Sequence, residues 1–312
     1  MGANTSASCI VCGLGTYQPS TGASACLSCP NGTSTSTLGA DKSSLCINSD
    51  VACIARGQCY DLNNFQMAYY PFLAANPTQD VSGSLGSLSA SSSAPTLTTG
   101  PWTSSSGTSS SAAYFPQSGS SCKATGPATS GIQYYSLPSF TLSSALTVCL
   151  WYKPSYKYNS AQARLFSFAQ TRNLGKYEIA FYEQAPLPTS LPALPDLGAQ
   201  IEGPNAETYW SAVVGANKYD TTKWTHFCAA VQGSQMKVYF DNVLSSFTLS
   251  GALPAGSRSL NYIARSLWDG DCMYTGYIAD FRIFNRTLTA SEVGVLYNWR
   301  GNQALATVAV PN

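Results

Sequence analysis

At 312 residues the chain is longer than one small domain and shorter than three. Its apolar fraction, 44%, is ordinary for a chain able to bury a core, but its charged fraction is only 10%, where soluble domains average about 25%. Sixteen basic against fifteen acidic residues leave a net charge of +1 with no basic stripe, which excludes nucleic acid and anionic membrane as partners, since both are held by clustered Lys and Arg.

Residues 1–20 carry neither a basic stretch nor an apolar run of secretory type, and no window reaches the ~18 apolar residues of a direct membrane span. Met1-Gly2-Ala3-Asn4-Thr5-Ser6 fits a myristoylation pattern, which implies a cytosolic protein. The cysteines contradict that reading, so the expectation is a mature form or a piece of a longer chain. Seven of the eleven cysteines fall in the first fifth of the sequence, with few charges around them, as in a disulfide framework made in an oxidising compartment. Glycosylation sequons at Asn4, Asn31 and Asn285 point the same way, to a secreted or cell-surface glycoprotein.

The head, residues 1–62, reads Cys9-x-x-Cys12, Gly15-Thr16-Tyr17, Cys26-x-x-Cys29, Pro30-Asn31-Gly32-Thr33 and Cys46. Two CxxC pairs also allow a zinc ribbon, but the Lys and Arg that usually surround one are absent. The alternation of CxxC with Gly-Thr turns resembles ephrin-receptor-like and tumour-necrosis-factor-receptor-like cysteine-rich repeats. That resemblance implies the pairs Cys12–Cys26 and Cys29–Cys46, and leaves Cys9 unpaired or intermolecular. Cys53 and Cys59 form a local loop, or one of them captures Cys9. A rod of this kind is stabilised by disulfides in place of a core. It serves as a spacer or, in the alternative, as a receptor-type ligand surface.

The main domain is expected over 64–300. Short apolar runs separated by Gly, Pro, Ser and Asn predict strands at 67–73, 113–115, 133–137, 146–152, 163–169, 177–182, 207–214, 225–231, 236–240 and 276–284, several with period two. Residues 81–130 hold seventeen Ser and seven Thr and read as long surface loops, with a mucin-like stalk as the alternative. Asp241-Asn242 between two apolar runs predicts a hairpin with positive φ at the turn. Thr289-Ala290-Ser291-Glu292 is a capping box opening one short helix that carries Val293, Leu296 and Tyr297. The fold class is therefore all-β, a two-sheet sandwich with one short C-terminal helix, preceded by a small disulfide-rich module. In the tail, 301–312, Ala304–Val310 reads as a strand with no partner in the domain.

Tyr69-Tyr70-Pro71-Phe72, Asp80-Val81-Ser82-Gly83, Leu146–Trp151, Trp224-Thr225-His226-Phe227-Cys228, Val238–Asn242 and Gly276–Arg286 resemble, in order, a laminin-G-like or pentraxin-like domain of the concanavalin A-like lectin/glucanase superfamily. The resemblance implies a jelly roll and the pair Cys149–Cys228, leaving Cys122 and Cys272 to each other. It also raises calcium as a possible cofactor. Asp269 and Asp271, and Asp80 in its turn, are the candidate ligands, although Arg265 and Leu267 sit where oxygen ligands would be wanted.

Catalysis has little support. Glycoside hydrolysis needs paired carboxyls, and Glu178 and Glu183 alternate onto opposite strand faces. His226 reads as ordinary strand sequence. Trp102, Trp210 and Trp268 are candidate sugar-stacking side chains. The leading expectation is a non-enzymatic extracellular structural or adhesion module of a larger assembly, contacting other extracellular proteins or copies of itself. The alternative is a glycan-binding, lectin-like domain, with or without calcium.

Overall fold

The computed structural model describes residues 11–30, 33–35, 37–48, 62, 66–103, 109–116, 133–156, 162–172, 174–184, 196–268 and 271–298. The chain divides into two compact units, a head over 1–64 and a main unit over 65–301. Cys9, Cys53, Cys59 and Cys122, the sequons at Asn4 and Asn31, Asp269 and the tail strand lie outside the described residues.

In the head, β1 (Thr16–Tyr17) pairs with β2 (Leu27–Ser28), and β3 (Thr33–Thr35) with β4 (Cys46–Asn48). Disulfides Cys12–Cys26 and Cys29–Cys46 close loops with sequence separations of 14 and 17. Loops of that size each contribute about 3 kcal/mol by constraining the unfolded chain. They do so where Cys12, Thr35, Ala40 and Leu62 are the buried side chains among the described residues of the head.

The main unit opens with β5 (Gln66–Tyr70), β6 (Ser89–Ala90), β7 (Thr96–Thr103), β8 (Ser109–Phe115), β9 (Tyr135–Leu137), β10 (Phe140–Leu142), β11 (Ala145–Pro154) and β12 (Arg164–Ala169). It continues with β13 (Ile179–Gln184), β14 (Asp196–Glu202), β15 (Thr208–Gly215), β16 (Thr225–Gln232), β17 (Gln235–Phe240) and β18 (Val243–Thr248). Last come β19 (Gly256–Arg258), β20 (Leu260–Ile263), β21 (Gly276–Phe284) and one helix, α1 (Ala290–Asn298). An eight-stranded sheet runs β18-β17-β16-β11-β21-β8-β7, with β5 also on β21. A seven-stranded sheet runs β15-β14-β13-β12-β20-β9-β6. All these pairings are antiparallel, and the two sheets form the jelly-roll sandwich expected from the sequence.

Period-two alternation fills the space between the sheets. Phe166 and Phe181 of the seven-stranded sheet meet Phe281 and Phe227 of the other, with ring centroids 5.8 and 4.9 Å apart in edge-on geometry. Such rings bury area worth about 2–3 kcal/mol each, plus roughly 1 kcal/mol per well-oriented pair. Asp241 and Asn242 adopt φ of 50° and 66°, the left-handed turn that joins β17 to β18. The Ser/Thr-rich segment departs from the loops expected of it. Part of it forms β7, an edge strand whose Gly100 lets the backbone approach Ser110 and Ser111 closely and whose Pro101 an edge tolerates.

Candidate functional site

The outer face of the eight-stranded sheet is covered around Trp151 and His226, while next to that patch Tyr114 and Tyr277 stack at 4.7 Å beside Trp224, all three half-buried. Glu292 accepts hydrogen bonds from the Thr289 N–H (2.8 Å) and Oγ1 (3.0 Å), so the capping box starts α1 where expected. From α1, Tyr297 stacks on Trp151 (centroids 5.8 Å, 15° between planes) and sits beside His226 (5.6 Å). Trp102 closes over Trp151 from the other side at 5.7 Å. Beneath them Cys149 is disulfide-bonded to Cys228, its register partner on β16.

The outer face of the seven-stranded sheet is different, and its two halves differ from each other. Over β12, β13 and β14 it holds a buried ion cluster. A register irregularity between Arg164 and Phe166 turns both Leu165 and Phe166 into the core while Arg164, paired with Tyr182, stays on the outer face. The Arg164 guanidinium lies 4.9 Å from the centre of the Tyr182 ring. It donates to Glu178 Oε1 (3.2 Å), the Gln162 carbonyl (3.0 Å) and Gln200 Oε1 (3.0 Å), and pairs with Asp271 Oδ2 (2.7 Å). Glu178 is further held by Ser167 Oγ (3.2 Å) and by the Trp268 indole N–H on Oε2 (2.9 Å).

Three carboxyls, Glu178, Asp271 and Glu202, thus surround one guanidinium. Burial pushes the Glu202 carboxyl above its ordinary range, against the hydrogen bond from Gln200, and the Glu178 charge raises it further. Burial likewise raises Asp271, against the Arg164 charge. Glu202 is roofed by Gly175, whose φ is +63° and where any Cβ would overlap the carboxylate. Arg164 and Glu178 are both fully buried. The Arg164–Glu178 pair is shut off from solvent, and the cluster fastens strands and loop together.

Over β9 and β20 the same face is open. Tyr135 and Ile263 point into the core, so alternation places Tyr134, Ser136 and Tyr262 outside, with Ser136 and Tyr262 directly opposite. Tyr134 and Tyr262 meet edge-to-face at 5.7 Å. At the end of β20, Ala264 takes φ 66° and is buried like Ile263, which turns the next residue outward. Arg265 consequently folds back over both rings, 4.5 Å from the centroid of Tyr134 and 4.9 Å from that of Tyr262. All three side chains are half-buried. A non-glycine residue in the left-handed region costs about 1–3 kcal/mol and persists only where its surroundings hold it. Here the Ala264 N–H donates to the Leu165 carbonyl (2.9 Å), and its own carbonyl accepts from Tyr274 (3.2 Å).

Residues 128–294, more than half of the chain, match the family profile described as the concanavalin A-like lectin/glucanases superfamily. The chain belongs to this superfamily. Residues 1–46 match the profile described as tyrosine-protein kinase ephrin type A/B receptor-like. Among solved structures, the binding domain of Paraclostridial Mosquitocidal Protein 1 superposes with a TM-score of 0.51 at 13% identity, over 76% of this chain and 53% of that one. A structure of botulinum neurotoxin type C, whose cell entry depends on two ganglioside molecules, gives 0.51 at 12%, over 76% and 52%. Domain 4 of AbnA, a GH43 extracellular arabinanase from Geobacillus stearothermophilus in complex with arabinotriose, gives 0.47 at 18%, over 77% and 100%. The chain therefore spans about half of each toxin chain, and the two toxin likenesses show the fold alone. No curated protein sequence matches the chain.

Within this superfamily member, the residues singled out in the sequence fall as follows. Asp80 is a backbone clamp, not an open ligand. Its Oδ1 accepts from the Tyr69 N–H (2.9 Å), the Ser82 N–H (3.0 Å) and Ser82 Oγ (2.6 Å), and its Oδ2 from the Leu85 (2.9 Å) and Gly86 (3.0 Å) N–H groups. Donor hydrogens face both oxygens, the reverse of what a cation needs. Burial pushes this carboxyl up, but the hydrogen bonds outweigh it and hold it below the ordinary value. A depressed folded-state value stabilises above the unfolded value near pH 4 and is lost as pH falls through the folded one. Asp80→Ala is accordingly expected to cost about 2–3 kcal/mol at pH 7. In urea titrations the gap from the unaltered protein should narrow progressively as pH falls below about 4.

Asp271 is taken by Arg164 and by Ser266 Oγ (2.6 Å), so a calcium site built on it does not fit. Among the described residues no three His, Cys, Asp or Glu side chains gather as a metal site. Cys272 is disulfide-bonded. Asn285, half-buried, faces Ser143 Oγ at 3.4 Å. None of the three tryptophans proposed for stacking is a free platform. Trp102 packs on Trp151, Trp210 on Phe247 at 5.4 Å, and Trp268 is tied to Glu178. Sequence reading missed Tyr134 and Tyr262 and placed Arg265 only as an obstacle to calcium. A guanidinium three residues beyond a tyrosine, in a chain so poor in charge, was the signal available.

Proposed function

We propose that this chain is a non-enzymatic extracellular binding module. In this reading its sandwich takes a glycan on the open half of the seven-stranded sheet, and the cysteine-rich head acts as a spacer. The observation that carries it is the half-exposed Tyr134–Arg265–Tyr262 group, a ready platform for a sugar ring that adds a cation to its aromatic faces, on the half of the seven-stranded sheet that the ion cluster leaves open. Ser136 opposite Tyr262 adds a hydroxyl on the same surface. The extracellular placement rests on the disulfides and the receptor-like head.

The test is binding of the full chain to a broad oligosaccharide panel, beside Tyr262→Ala. Saturable binding that falls about 5- to 30-fold in the variant is expected, because one aromatic–sugar contact is worth roughly 1–2 kcal/mol. Binding untouched by that change would contradict the assignment.

The structural or adhesive reading keeps one specific support. Strand β18 ends the eight-stranded sheet, carries no Lys or Pro, and exposes Val243 (68%) and Leu244 (45%). An edge of this kind is open to pairing with another strand. Sedimentation of the same preparation would report such self-association as particles holding two or more 33.0 kDa chains, with mass rising with concentration.

A further inference from the structure

Arg265 separates this face from a plain aromatic platform. Its guanidinium lies against two tyrosine rings set 86° to each other, yet among the described residues it forms no hydrogen bond and no ion pair. The contrast with the other clamped arginines is direct. Arg164 is answered by Glu178 and Asp271, Arg282 by Asp280, and Arg286 by Glu292, while Arg258 is spent on three backbone carbonyls. Contact with the ring faces gives its N–H groups no oxygen acceptor, so the fork that matches a carboxylate or sulfate oxygen pair remains unspent. The rings also strip water from the cation and fix its orientation, so little freedom remains to be lost when an anion arrives. Among the described residues the nearest acidic group along the loop, Asp271, is held by Arg164 and Ser266 and does not compensate it. The Tyr134 and Tyr262 hydroxyls make no bond to described residues either, and stand beside the guanidinium as further polar handles.

We infer that the open face selects acidic glycans, with the Arg265 fork holding the carboxylate or sulfate of one sugar and the two tyrosines flanking it. This rests on the glycan-binding reading above and narrows it to a ligand class.

The test uses the full chain, titrated with three probes: oligogalacturonate, its fully methyl-esterified and therefore uncharged form, and sulfated dextran. The inference expects at least one acidic probe to bind about tenfold or more tightly than the esterified one. It expects that preference to weaken as salt rises and to vanish in Arg265→Gln, with Arg265→Lys keeping only part of it because an ammonium lacks the fork. Binding of oligogalacturonate assigns a carboxylate, and binding of sulfated dextran alone assigns a sulfate. Thermal melting of Arg265→Gln within a few degrees of the unaltered protein shows that the variant folds. Equal binding of charged and esterified probes, or a preference that survives Arg265→Gln, overturns the inference and leaves the glycan reading standing. Failure of every probe here and throughout the oligosaccharide panel overturns both.

Discussion

Arg164→Met is expected to destabilise the main unit by about 3–5 kcal/mol, the usual cost of removing one partner from a buried charge network. Both Arg164 and Glu178 are fully inaccessible. Without the guanidinium, Glu178 keeps only Ser167 and Trp268, and Asp271 keeps only Ser266. Each carboxyl must then protonate or draw in water. At roughly 2–4 °C per kcal/mol for a unit of this size, the midpoint of thermal unfolding should fall by about 6–20 °C. Adding Glu178→Gln to Arg164→Met should recover part of the loss, because a neutral amide no longer needs a counter-charge. Had the cluster been a surface ornament, the single change would cost under about 1 kcal/mol. Calorimetry of the two variants decides between these.

Removing the Cys149–Cys228 bridge by paired alanine substitution should cost about 4 kcal/mol. The two cysteines are 79 residues apart, and a closed loop of that size takes roughly that much free energy from the unfolded chain. They are also neighbours in register on β11 and β16, at the centre of the eight-stranded sheet. The strands therefore remain paired without the bond, and the loss should appear mainly as a lower unfolding midpoint with the same folded state. Cys149 and Cys228 are 1% and 0% exposed, so mild reductant should leave the bridge intact in the native protein and open it only near the unfolding transition. Thiol titration of native and denatured protein checks this; a bridge that reduces readily in the native state would show that the face over it is open and that α1 does not cover it.

Much of the fold was legible because local chemistry and global packing agreed. The Asp241-Asn242 turn needs positive φ, and both residues tolerate it better than most. The Thr289–Glu292 box announces α1 three residues in advance of its closing contact. Strands β11, β16 and β21 are long apolar runs that could lie only in the interior. What was lost has equally local reasons. Strand β7 hides among Ser and Thr and contains Gly100 and Pro101, both poor strand formers, because at an edge its pairing is one-sided. Strand β14 is masked by Gly198 and Ala199, small because Tyr182 and Phe181 pack opposite them. The open face was illegible for a third reason. Its three residues come from β9, β20 and the loop after it, and only the positive φ at Ala264 brings Arg265 back over the tyrosines. Nothing in the spacing of Tyr134 and Arg265 records that fold-back.

The claim that the open half of the seven-stranded sheet is the binding surface is tested most directly by mapping backbone-amide chemical shifts of the full chain against an oligosaccharide that binds it. The account predicts the largest changes at Tyr134, Ser136, Tyr262 and Arg265, with the amides around Trp151, His226 and Tyr297 unmoved. Changes centred instead on that helix-covered face, or along the β18 edge, would place binding elsewhere and contradict it.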